Sequence, residues 1–203
     1  MKRLSLILAV LMLTVAAQAQ LLWKVSGNGV GRPSYIFGTH HMAPATMIDQ
    51  VKGMDQAISG CDIVVGEVEK DSLMSPEVQA RMAQNMIAPL DSTLDKLLTP
   101  DDYSIVEKVF DKYFSTMGVK LKQMNTLKPN AISTQMQAMQ AIKYFPNFNA
   151  NSLIDVAVQT RANEAGRPSA GLESVDSQIN LLFNSPLAQQ AKGLGEAWKK
   201  EEV

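Results

Sequence analysis

Two adjacent histidines and a small set of glutamates are the side chains whose types and spacing suit acid–base or metal chemistry. His40 and His41 are the two histidines of the chain. Imidazole is the commonest metal ligand and the usual proton shuttle near neutral pH. In an extended segment neighbouring side chains point to opposite sides, so one of the two can face a given pocket. The alternative interpretation is a pair of polar histidines in a surface loop.

The glutamates follow short apolar runs. Glu67 and Glu69 come after the β-branched run 63–65 and would share one face of a strand, while Glu173 follows a shorter apolar step. A carboxylate at the end of an apolar strand is costly unless it is paired, hydrated or bound to a cation. Glu67 is the stronger candidate of the first two, because Glu69 lies among charged residues and can be solvated.

The donor set that these residues offer is that of a divalent metal site. His41, Glu67 and Glu173 would have to converge and leave one position open for water, which is the arrangement of a hydrolytic metal centre. Glu67 would act there as a ligand or as the general base. The sequence has no Gly-x-Ser-x-Gly motif, and the glycines 27, 29 and 31 follow a strand without opening a helix, so a phosphate-binding loop is not predicted.

The pattern of apolar residues predicts an α/β fold. We expect a central mixed β-sheet, with a large helical section between the second strand and the C-terminal part. Polar residues just past strand ends are where such folds place their chemistry. Strands are predicted at 21–25 and 34–37, which form a hairpin, at 63–65, which is buried, and at 170–173; helices are predicted at 46–59, 76–86, 91–98, 100–117, 131–144, 153–164 and 175–183, and after Pro186.

Residues 1–19 have the three parts of a secretory signal peptide. Lys2 and Arg3 precede an apolar run at 4–15, and Ala17-Gln18-Ala19 is a small-x-small cleavage site. The run is shorter than the roughly 20 residues that a membrane span needs. We therefore expect cleavage after Ala19, a single domain over 20–203 with no transmembrane span, and a location in the periplasm or outside the cell.

The net charge of the chain bears on the class of partner that it can bind. The formal net charge of −1 does not favour nucleic acid as a partner.

The single cysteine, Cys61, cannot form an internal disulfide, and we expect it to be buried because it opens an apolar run.

Four segments, taken in order, resemble the TraB/GumN family, which is related to the Tiki metalloproteases. YIFGTHH resembles an apolar strand that ends in a Gly-x-x-His motif, here at His41, and CDIVVGEVE resembles a second strand that ends in a glutamate, here Glu67. LLTPDDYSIVEKVF resembles a proline-acid helix start. LIDVAVQTRANEAGRPSAGLESVDSQ resembles the family's stretch with Asp155, Glu173 and Gln178.

The resemblance implies an α/β fold of the kind found in erythromycin esterases and haem-binding ChaN-like proteins. It also implies metal-dependent peptidase activity with manganese or cobalt rather than zinc, on a peptide or small-molecule substrate. His41 and Glu67 would belong to the active centre, with Glu173 as a third ligand. The family carries a second Gly-x-x-His motif in a later strand, whereas this chain has no histidine after His41. We therefore expect it to lack the C-terminal part of the domain.

Two other functions fit the same residues. The fold can serve as a non-catalytic envelope module that binds a small ligand, haem or a peptide. It can also be a structural envelope protein whose polar strand ends are merely hydrated.

Overall fold

Two short pairs of strands form the β-structure in a computed structural model of the chain, which describes residues 20–145, 148–149 and 152–201. Strands β1 (Leu22–Val25) and β2 (Ser34–Phe37) form the predicted antiparallel hairpin. Strands β3 (Val64–Gly66) and β4 (Ser169–Gly171) pair in parallel. The carboxyl ends of β3 and β4 therefore lie side by side at one edge, although more than a hundred residues separate them in the sequence.

The α/β class predicted from the sequence is confirmed, but the strands of the described residues form two separate pairs instead of one central mixed sheet. The prediction of a buried strand at 63–65 is also wrong, since Ile63 and Val65 are 46% and 48% exposed. The reason is that β3 is covered on one face, where Val64 packs against the core, and the opposite face has no layer over it in the part of the chain that the structure describes.

Helices make up most of the remaining structure, and their ends follow local signals in the sequence. Thr99, for example, caps a helix that begins at Pro100, because its hydroxyl oxygen accepts a hydrogen bond from the Asp102 N–H at 3.1 Å. The α-helices of the described segments are α1 (Met54–Gly60), α2 (Lys70–Met74), α3 (Pro76–Asn85), α4 (Leu94–Leu97), α5 (Pro100–Phe114), α6 (Pro129–Tyr144), α7 (Ile154–Glu164), α8 (Val175–Phe183) and α9 (Leu187–Lys199).

One predicted helix is divided and one short helix was not predicted. Where one helix was predicted at 46–59, the structure has a 3₁₀-helix (Ala45–Gln50) and α1, separated by a break at Gly53. Gly53 has a φ of 82°, a left-handed conformation that interrupts a helix and that glycine adopts without steric cost. Helix α2, which follows the candidate residue Glu69, is too short to show a helical period in the sequence.

The apolar residues form three clusters, and the second and third hold the elements that carry the candidate site. The largest joins α5, α6 and α9, where Phe110 and Phe114 stack with ring centroids 4.0 Å apart. The second packs the hairpin and α1 against α7. The third packs Val68 and α3 against the start of α8. The buried side chains of the second and third clusters are Leu22, Ala43, Ile48, Met54, Ala57, Ile58, Ile154 and Ala162, and Val68, Val78, Val175 and Ile179, respectively.

The predicted signal peptide at 1–19 lies outside the described residues. Among the residues that are described, no helix is both long enough and apolar enough to cross a membrane.

Candidate functional site

His41 lies in the loop that follows strand β2. The Gly38 N–H donates to the Leu21 carbonyl at 2.9 Å, which extends the hairpin by one residue, and the Ala43 N–H donates to the His40 carbonyl at 2.7 Å, which turns the chain. The turn separates the two histidines. His40 Nδ1 accepts from the Met42 N–H at 3.2 Å, and its ring lies near that of Phe145. His41 faces the helices and strands that carry the acidic residues.

His41 contacts a carboxylate at each of its ring nitrogens. Its Nδ1 is 2.9 Å from Asp155 Oδ2, at the start of helix α7, and its Nε2 is 3.3 Å from Glu67 Oε2, just past the end of β3. The Asp155 side chain is the most buried of the three, at 32% exposed, while the imidazole is 70% exposed. The three side chains form a chain of contacts, open to solvent, with the histidine in the middle.

The Asp155 carboxylate determines which nitrogen of a neutral His41 carries hydrogen. An ionised carboxylate can only accept, so His41 Nδ1 must donate to it, and Nε2 then has a free lone pair. That lone pair faces a second acceptor, Glu67 Oε2. Two acceptors at 3.3 Å repel each other unless a proton or a cation lies between them.

Glu67 and Glu173 meet at the common carboxyl end of β3 and β4. The Glu173 N–H donates to the Glu67 carbonyl at 2.8 Å, and the Leu172 N–H donates to the Gly66 carbonyl at 2.9 Å. The two glutamate side chains share one partner, Gln178 in helix α8, whose Nε2 donates to Glu67 Oε1 at 2.7 Å and to Glu173 Oε2 at 2.8 Å.

The end of β3 is held in place by a buried glutamine of helix α7. Gln159 is 4% exposed, its Nε2 donates to the Val68 carbonyl at 2.9 Å, and its Oε1 accepts from the Lys70 N–H at 3.0 Å. The close approach requires glycine at position 66, because a Cβ there would overlap the Gln159 side-chain nitrogen. Helix α7 thus carries both the partner of His41 and the residue that fixes the strand bearing Glu67.

The structure places His41 and Glu67 in contact, but it does not bring Glu173, the third predicted ligand, to them. Glu173 makes no ion pair with His41 among the described residues, and it bonds to Gln178 instead. Within those residues no group of three or more His, Cys, Asp and Glu side chains is arranged to hold a metal ion. Asp155 and Glu67 lie at opposite nitrogens of one ring, so they cannot converge on a single point.

Glu69, the other strand-end candidate, has a structural role. It caps α2: its Oε2 accepts from the Ser72 N–H at 2.8 Å and from the Ser72 hydroxyl at 2.9 Å. The hydrogen bond from the Ser72 backbone lowers the pKa of the Glu69 carboxyl below its usual value. Glu69 therefore belongs to the helix start and not to the site.

A comparison with known protein families bears on the whole of this region. The model of the TraB/PrgY/gumN family matches residues 21–202. The chain belongs to the TraB/PrgY/gumN family. Comparisons with curated proteins and with solved structures found no match.

In this TraB/PrgY/gumN domain the candidate residues lie beside a cavity of about 580 Å³. It is lined by residues of the hairpin, of α1, of β3 and of α7, including His41, Glu67 and Asp155. Cys61 lines the cavity as well and is only half-buried, contrary to the burial predicted for it, because α1 ends at Gly60 just before it. The site therefore opens into a space large enough for a small organic ligand or part of a peptide.

Two residues of this TraB/PrgY/gumN site were not identified as candidates from the sequence. Asp155 lies in the first turn of a helix, where an acidic residue is ordinarily explained by the helix dipole. Gln178 lies within a helix and has no spacing relation to either glutamate. The family resemblance includes both residues in its last segment, but it assigns neither of them a role.

Proposed function

We propose that this TraB/PrgY/gumN protein is an exported metal-dependent hydrolase that acts on peptides, with His41 and Glu67 as its metal ligands. One observation carries the proposal: the lone-pair side of His41 faces the Glu67 carboxylate at 3.3 Å, while Asp155 holds the other ring nitrogen at 2.9 Å. A carboxylate that orients a ligating histidine through its second nitrogen is a common device of metal sites.

The separation of the two facing atoms fits ligands of one cation. Ligand atoms that lie about 2.1 Å from a metal and at right angles to each other are about 3 Å apart. A cation between His41 Nε2 and Glu67 Oε2 would replace their mutual repulsion with two favourable contacts. Glu173 does not fit as a third ligand, because its contact is with Gln178.

A site with one nitrogen and one carboxylate ligand is compatible with manganese or cobalt. Catalytic zinc sites ordinarily have three protein ligands. Cations that prefer oxygen and six-fold coordination can keep several waters and still bind through one or two side chains. The same resemblance to the Tiki metalloproteases that implies manganese or cobalt makes a peptide the favoured substrate.

The side chains of the site would have different roles in hydrolysis. Asp155 accepts a hydrogen bond from His41 Nδ1–H and so keeps Nε2 available as a ligand. Glu67 would offer Oε2 to the cation as the second protein ligand, and its half-exposed carboxylate leaves the site open to water. A bound divalent cation supplies Lewis-acid polarisation and lowers the pKa of water toward neutrality. The cavity beside the site would hold the substrate segment next to the reacting bond.

Calorimetric titration of the mature chain with Mn²⁺ and Co²⁺ tests the metal site. We expect His41→Ala to abolish binding, because it removes one of the two protein ligands. The matched control is His40→Ala, which removes the neighbouring imidazole with its different partners and should leave the affinity within about twofold. Equal affinity in the wild type and in His41→Ala would contradict the proposal.

A peptide-cleavage assay with a fluorogenic peptide library tests the hydrolase step. Cleavage should require added metal and should be lost in Glu67→Gln, which removes the charged carboxylate ligand. Metal binding without any cleavage would favour the second candidate function, a binding module. The cavity of about 580 Å³ is the observation in favour of that candidate.

The export part of the proposal rests on residues 1–19 and has its own measurement. N-terminal sequencing of the protein recovered from outside the cytoplasm should begin at Gln20. Recovery of the chain from the cytoplasm with Met1 and the following residues intact would contradict export while leaving the metal chemistry open to its own test.

A further inference from the structure

Gln178 contacts the oxygen of Glu67 that does not face His41. Its Nε2 is 2.7 Å from Glu67 Oε1, whereas Glu67 Oε2 is the atom that lies 3.3 Å from His41 Nε2. The two oxygens of one carboxylate are therefore assigned to different partners. Such an arrangement leaves Glu67 a single oxygen for a cation.

The same amide nitrogen is shared with a second carboxylate. Gln178 Nε2 also donates to Glu173 Oε2 at 2.8 Å. A carboxamide nitrogen has two hydrogens and no acceptor role, so both of its hydrogens are used. Ionised carboxylates can only accept, which means that the nitrogen and not the oxygen of the Gln178 amide must face them.

We infer that Gln178 is a positioning residue, which orients Glu67 for the proposed metal site and ties Glu173 to the opposite side of that carboxylate. The inference rests on the proposed function, since Gln178 acts through a metal ligand. It also gives Glu173 a different role from the one predicted from the sequence. Glu173 is the second acceptor that holds the Gln178 amide in place, and it is not a ligand itself.

The folded structure around Gln178 does not depend on its side chain. The strand ends are joined by the backbone hydrogen bonds from Glu173 N–H and Leu172 N–H, and helix α8 is anchored in the core by Val175 and Ile179. Leucine has about the same helix propensity as glutamine. Gln178→Leu should therefore remove the two donors and keep the helix.

An NMR measurement on the metal-free protein tests the hydrogen bonds directly. The side-chain amide group of Gln178 is assigned by its disappearance in Gln178→Leu. We expect Glu67→Gln and Glu173→Gln each to shift one of its two proton resonances, because each change replaces a charged acceptor by a neutral one. The side-chain amide of Gln137, on helix α6, is the internal control and should not move. Unchanged Gln178 resonances in both variants would overturn the inference.

Calorimetric titration with Mn²⁺ tests the positioning role. Gln178→Leu should weaken Mn²⁺ binding by about tenfold, which is the low end of the effect of removing the partner of a metal ligand. Glu173→Gln should have the smaller effect, since it leaves one Gln178 bond to Glu67 intact. Gln137→Leu makes the same change at an exposed helical position away from the site and should bind as the wild type does.

Two results would overturn the inference and leave the proposed function standing. One is Mn²⁺ affinity in Gln178→Leu equal to that of the wild type, with binding still lost in His41→Ala. The other is a complete loss of binding in Glu173→Gln, which would make Glu173 a ligand. A wild-type protein that binds no Mn²⁺ would overturn the proposed function and this inference together, whatever the amide spectrum shows.

Discussion

The imidazole of His41 is held by a carboxylate at each nitrogen, and the two carboxylates have different tasks. Asp155 is the more buried and fixes the orientation of the ring, whereas Glu67 is half-exposed and faces the open side. Orientation matters because an exposed histidine samples several rotamers, and a ligand must present its lone pair in one direction. In the proposed metal site, the direction of the His41 lone pair thus depends on Asp155, which would not touch the cation itself.

Asp155→Asn should weaken Mn²⁺ binding by about 10- to 100-fold, because the amide no longer fixes His41 Nδ1 as a donor to a charged acceptor. Calorimetric titration provides the affinity. Asp176→Asn is the matched control: both aspartates lie in the first turn of a helix, so both changes remove the same helix-dipole interaction. A similar loss of affinity in the two variants would show that general electrostatics, and not the contact with His41, is responsible.

At the scale of elements, the parts predicted from the sequence are those with local signals. The hairpin has a glycine-rich turn between two apolar runs, and α5 has Thr99 and Pro100 at its start. Helix α8 was predicted with the bounds that it has, Val175–Phe183. Segments with weak local signals were predicted less well, as the break at Gly53 and the short helix α2 show.

In the candidate site, too, the residues with a local sequence signal could be predicted and those without one could not. His41 and Glu67 could be identified because each follows a strand, and the strand shows in the sequence. Their contacts could not be identified, since Asp155 lies 114 residues from His41 and Gln178 lies 111 residues from Glu67. Only the packing of α7 and α8 against the strand pairs places these side chains, and that packing is set by the apolar clusters and not by the spacing of the polar residues.

At the scale of the whole molecule, Glu201 joins the end of α9 to the helical core. Its carboxylate accepts hydrogen bonds from Tyr113, from Lys112 at 3.2 Å and from Gln140 at 2.7 Å, and it is 17% exposed. Burial alone raises the pKa of Glu201, but the hydrogen bonds from Tyr113 and Lys112 and the positive charge of Lys112 outweigh burial and hold the pKa below its usual value. The ionised form is the one that the fold stabilises.

A carboxyl group whose pKa is lower in the folded than in the unfolded protein stabilises the fold at pH values above its unfolded pKa. This stabilisation is lost as the pH falls through its folded pKa. Glu201→Gln should therefore reduce the free energy of unfolding by about 1–2 kcal/mol at pH 7, and the difference from the wild type should shrink below about pH 4.5. Urea denaturation at several pH values measures both. Glu196→Gln, an exposed change on α9, is the control and should show no such trend. A difference that is constant with pH would contradict the argument.

The parallel pairing of β3 with β4 has a consequence for the order in which the parts of the protein fold. A chain made from its N-terminus contains His41 and Glu67 long before the segments that carry Asp155 and Gln178. Contacts that span so much of the chain close slowly, because a long loop must be ordered before they form. The helical cluster of α5 and α6 can form from neighbouring residues, whereas we expect the geometry around His41 to be completed later. We therefore expect the cation of the proposed metal site to bind after the chain has folded.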